Sequence, residues 1–153
     1  MHIHPTPNVV IGGANTGARN IISGNKIAIN ALGNMVTQNI VQGNWIGLGT
    51  DENALPNTEA AIMVQGGGIK IGGSAPGEGN VISGNTGSLL TWSSVNTQLP
   101  VTVYGNIIGL KPDGETPLPN NSGTALLDLG GLASIQFGGP NPGEENIIAG
   151  NTT

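Results

Sequence analysis

Residues 8–25 (NVVIGGANTGARNIISGN), 68–85 (GIKIGGSAPGEGNVISGN) and 134–151 (SIQFGGPNPGEENIIAGN) are three copies of one skeleton within a chain of 153 residues. A repeat of this kind constrains the fold more than any single motif, because each copy is too small to bury an apolar face except against its neighbours. A second pair is interleaved with the first: residues 41–57 (VQGNWIGLGTDENALPN) and 103–120 (VYGNIIGLKPDGETPLPN). Gly12 and Gly72 are 60 positions apart, Gly43 and Gly105 62, and Gly72 and Gly138 66. A longer unit, set by these offsets, therefore occurs twice and is followed by one more copy of its opening.

Stops at Gly-Asn or Gly-Gly divide the chain further, into residues 8–25, 26–44, 45–67, 68–85, 86–106, 107–131 and 132–151, after an extension over 1–7. Each of these short segments carries two or three β-branched runs. Such segments are too short for propeller blades and lack the leucine frame of leucine-rich repeats. A coil of a parallel β-solenoid fits them, since a coil buries only the inward residues of its short strands. It finds its backbone partners in a neighbour about 4.8 Å away. Helix is disfavoured because Gly and Asn interrupt every window before a helical period develops. The expectation is one all-β domain of seven coils.

Composition agrees with a solenoid better than with a conventional core: 27 Gly, 19 Asn, two Trp, one Phe, one Tyr and 8% charged residues. The recurring Ile and Val runs argue against disorder. A net charge of -5 with only four Lys and Arg argues against nucleic-acid binding, which needs a basic patch to neutralise phosphates. Without cysteine there is no disulfide framework and no thiolate metal site. No apolar run approaches the roughly 18 residues that suggest a membrane span, so no membrane insertion is expected. Residues 1–7 lack the basic and apolar pattern of a signal peptide.

The strings IIGLKPDG, NVISGN and IGG resemble repeats of the right-handed parallel β-helix proteins, the pectate-lyase-like superfamily, over residues 8–151. That resemblance implies a right-handed solenoid of the bacterial surface or secreted type, hence an extracellular or cell-surface location. It says little about activity, because the superfamily holds lyases, hydrolases, epimerases and purely structural regions.

The most regular element is Asn after Gly, at Asn25, Asn44, Asn85, Asn106 and Asn151. Its side-chain amide can bond to the amide above and below, so these five are read as a structural ladder. Ile11, Ile71 and Phe137 match one another, as do Trp45 and Ile107, and both sets are expected in interior stacks. Trp92, in a segment without a close copy, is the candidate for an exposed ligand-binding aromatic.

Enzymes of the resembled superfamily use clustered carboxylates, with calcium or as general acid and base, and lyases add a basic residue. Asp51, Asp113 and Lys111 are the residues to test for that role. Three coils would separate the two aspartates by roughly 14 Å, too far for direct pairing. An Asp beside Gly or Asn is also an ordinary turn residue. Arg19 corresponds to Gly79 and Glu145 in the other copies, as an exposed turn position would. His2 and His4 alternate on an extended segment but read as a frayed terminus, so no metal site and no cofactor is assigned, calcium being the one cation to test.

A solenoid needs its ends covered. With no capping helix legible, either more coils continue the solenoid or another copy covers the ends, and the expectation is self-association through those ends as a homo-oligomer. Regular repeats without a clustered polar site point to a non-catalytic scaffold, or an adhesive module with a polysaccharide as partner. The alternative is a polysaccharide lyase or hydrolase, or a degenerate relative.

Overall fold

The computed structural model describes residues 1–3, 8–32, 39–65, 68–92, 100–121, 127–128 and 135–152. Among them the chain passes through three parallel sheets in a fixed order. The first passage holds β1 (His2–Ile3), β2 (Val10–Gly12) and β3 (Ile21–Ile22). The second holds β4 (Ile27–Leu32), β5 (Asn39–Gln42) and β6 (Trp45–Ile46). Next come β7 (Ala60–Gln65), β8 (Ile69–Gly72) and β9 (Val81–Ile82), then β10 (Ser88–Trp92), β11 (Val101–Tyr104) and β12 (Ile107–Ile108). The last holds β13 (Leu127–Asp128), β14 (Ile135–Phe137) and β15 (Ile147–Ile148).

The first sheet is β1-β4-β7-β10-β13, the second β2-β5-β8-β11-β14 and the third β3-β6-β9-β12-β15. Every pairing between these strands is parallel. This is an all-β parallel solenoid, with a single 3₁₀ turn at Thr16–Ala18 among the described residues. No helix among them is long and apolar enough to cross a membrane.

Each sheet is five strands deep, which corrects the expectation of seven coils. A circuit needs three strands, whereas the segments read as coils supply only two: residues 8–25 hold β2 and β3, and residues 68–85 hold β8 and β9. The longer repeat unit is therefore two circuits, and the three copies of the opening skeleton lie on alternate levels.

Levels differ at their corners. Between the second and third sheets, residues 13–20, 73–80 and 138–146 form wide arches on the first, third and fifth levels. Residues 43–44 and 105–106 turn the same corner tightly on the second and fourth. From the third sheet to the first the pattern is reversed: residues 47–59 make a long loop, but residues 83–87 a short one.

Alternation along each strand decides what is buried. In the third sheet the second residue of each strand faces inward, and Ile46, Ile82 and Ile108 are buried at 0 to 2% exposure. Val41, Ile71 and Val103 from the second sheet and Ile29, Ile62 and Leu90 from the first complete the core. Phe137 packs against that cluster, in the column that holds Ile11 and Ile71.

Candidate functional site: an apolar groove on the third sheet

Because each strand of the third sheet is a single pair of residues, the first of each pair faces outward. These outward residues align as Ile21, Trp45, Val81, Ile107 and Ile147. Trp45 is thus on the outside of the solenoid and Ile46 inside, contrary to the expectation that Trp45 and Ile107 belong to an interior stack. The arches stand along one edge of this row, and Pro112, in the connection after β12, reaches it from the other. Together they enclose an open cleft of about 530 Å³ with Trp45, Val81, Ile107 and Ile147 on its floor.

Arg19, at the foot of the first arch, crosses to the next level and holds its guanidinium carbon 4.5 Å from the centre of the Trp45 ring. The contact fixes a long cation over a partly exposed indole face and contributes about 0.5–1 kcal/mol. Its counterparts Gly79 and Glu145 also line the cleft, so the groove carries a cation at one end, a carboxylate at the other and glycine between.

Asp51 and Asp113 follow β6 and β12, two levels apart, about 10 Å at the spacing of parallel strands and not roughly 14 Å. Lys111 lies close enough for its charge to lower the proton affinity of both. The three test residues therefore share one flank, but the carboxylates are occupied. Asp51 accepts from the Asn53 side chain at 2.9 Å and the Asn53 N–H at 3.2 Å, and these bonds hold its carboxyl below the usual range. Asp113 accepts from the Thr116 hydroxyl at 2.6 Å and from the N–H groups of Glu115 and Thr116, both at 2.9 Å. Its pKa is held down to about 2, first by the Thr116 hydroxyl. A carboxyl tuned this way holds a turn and is too acidic to serve as a general acid near neutrality.

The five asparagines expected in one ladder are divided between two. At the corner between the second and third sheets, each side chain donates to the next at 3.0 to 3.1 Å, in the order Asn20, Asn44, Asn80, Asn106 and Asn146. At the other corner of the third sheet the order is Asn25, Asn57, Asn85, Asn120 and Asn151, at 2.9 to 3.2 Å. Asn20, Asn57, Asn80, Asn120 and Asn146 were missed, although each stands at a matched position of a repeated string. The ladders flank the groove and set its two walls on rigid corners.

Trp92 ends β10 in register with Val64, and its side chain is outside the described residues. His2 is in β1, while His4 falls outside the described residues. Among those described, no group of three or more His, Cys, Asp or Glu is placed to hold a metal ion. No protein-family model, curated protein or solved structure matches the chain.

Proposed function

We propose that the chain is a non-catalytic solenoid scaffold whose third-sheet groove holds an extended polysaccharide strand. The observation that carries this reading is the apolar floor around Trp45, set between the row of arches and Pro112 and running along the stack. A ribbon-shaped ligand with apolar sugar faces and hydroxylated edges suits a floor of side chains walled by Gly-rich arches with their peptide groups near the rim. The strings shared with pectate-lyase-like repeats support placing the chain in that right-handed, bacterial surface or secreted class.

Titration of soluble polysaccharides against tryptophan emission tests the reading. A saturable change that Trp45→Phe removes supports it, and the absence of any change across neutral and uronate polymers sinks it. The second reading, a polysaccharide-cleaving enzyme, draws on Asp51, Lys111 and Asp113 sharing one flank. New reducing or unsaturated ends, with or without calcium, lost in Asp113→Ala, would establish it in place of the scaffold.

A further inference from the structure

The alternation of wide and tight corners limits what can extend the stack. Arches on alternate levels touch: a Cβ on Gly77 would strike the Ala14 carbonyl, and one on Gly143 the Ser74 carbonyl. Between them lie the tight corners, where Gly43 is hemmed in by the carbonyls of Gly13 and Gly77, and Gly105 by those of Gly73 and Gly143. Gly43 also donates its N–H to the Glu78 carbonyl at 2.9 Å. An arch thus fills the depth of two strand spacings, about 9.6 Å, and arches on successive levels would have to share half that depth.

The outer edge formed by β14 and β15 belongs to an arch-bearing level. Ile147 and Ala149 donate their N–H groups back to Asn106 and Ile108, at 2.8 and 3.1 Å. By strand alternation, Ile148 between them turns its peptide groups toward the next level. Ile148 is 47% exposed, whereas Ile108, one level inside, is 0% exposed. Asn146 and Asn151 are the last of their ladders among the described residues, and their predecessors all pass an amide N–H onward.

The geometry points to an edge selective for one class of partner: a solenoid level of the tight-corner class. Its chemistry is that of residues 41–47 (VQGNWIG) and 103–109 (VYGNIIG), with a Gly-Asn corner to seat beside the arch and an Asn to accept from Asn146. A second copy of this chain stacked in continued register does not qualify, because residues 13–20 would meet residues 138–146 arch on arch. Self-association through the ends is thereby narrowed to arrangements that break the register. This inference rests on corner packing and is independent of what the groove binds.

Two chimaeras test it. In one, residues 86–121, a tight-corner level, are repeated after Asn151; in the other, residues 58–85, an arch level, are repeated there. Hydrogen exchange should slow the Ile148 amide about 100-fold in the first and leave it unchanged in the second. Equal protection in both, or none in the first, overturns the proposal. Sedimentation of the unaltered chain supplies the other arm. Concentration-dependent oligomers that protect Ile148 and keep all three sheets in register also overturn it, and a monomer with an unprotected Ile148 agrees with it.

Discussion

Asn44 donates its side-chain amide to the carbonyl oxygen of the Asn80 side chain at 3.1 Å, across 36 residues of sequence, and both residues are fully buried. The same Asn80 oxygen also takes the Asn44 backbone N–H at 3.0 Å. The Asn80 amide in turn donates to Asn106 and to the Val41 carbonyl, at 3.0 and 2.9 Å. Every polar atom of the side chain is matched at a position where water cannot replace a lost partner.

Asn80→Ala should therefore destabilise the chain by about 3 kcal/mol or more, since it strands several buried donors and acceptors at roughly 1–3 kcal/mol each. Asn25→Ala, at the exposed start of the other ladder, should cost about 1 kcal/mol. Urea midpoints for the two variants check the ordering, and equal losses would mean that the ladder does not work as a buried network.

Acid should expose the role of Asp113. Its carboxyl titrates at about 2 in the folded chain against an ordinary 3.8, so the unfolded chain binds the proton more readily. The stabilisation is complete above about pH 5 and is lost as pH falls through the folded value. Asp51 is shifted in the same direction. Asp113→Asn keeps an oxygen for the N–H groups of Glu115 and Thr116 while removing the titration. It should flatten the fall in urea midpoint between about pH 4 and 2. An NMR titration of Asp113 with a midpoint near its ordinary value would contradict the turn assignment.

Fold class and repeat period were legible because Gly and Asn mark corners and β-branched runs mark strands. The number of levels was not, for a physical reason: asparagine ladders stand at both corners of the third sheet among the described residues, so each circuit presents more than one asparagine corner. Gly-Asn stops such as Asn25 and Asn44 therefore count corners of two kinds as if they were one. The outward placement of Trp45 was hidden too, because its matched pair Ile107 and Ile108 are chemically identical and give so short a strand no inside or outside. Nor did any local pattern join Arg19 to Trp45, which meet only because the chain completes a circuit between them.

That placement separates two adjacent residues by consequence. Ile46→Ala opens a cavity at a fully buried site and should cost about 3 kcal/mol. Trp45→Ala removes the larger side chain but only the contact with Arg19 and part of the groove floor, for about 1 kcal/mol. Thermal unfolding of both variants decides the matter, and a larger loss at Trp45 would place the indole in the core.

Two equivalent turns carry different residues at one strained position. Glu52 has φ 58°, and its N–H bonds to the Gly49 carbonyl at 3.0 Å; Gly114 has φ 74° and bonds to Lys111 at 2.9 Å. Left-handed backbone costs a side-chain-bearing residue about 1 kcal/mol or more, whereas glycine adopts it freely but loses more entropy on folding. Glu52→Gly should consequently stabilise the chain by about 0.5 kcal/mol, and Gly114→Ala should destabilise it by about 1 kcal/mol. At about 2–4 °C per kcal/mol for a domain of this size, both shifts can be measured by calorimetry. Opposite signs at two matched positions would tie the effect to backbone conformation. Losses in both variants would show that the Glu52 side chain contributes more than its strain costs.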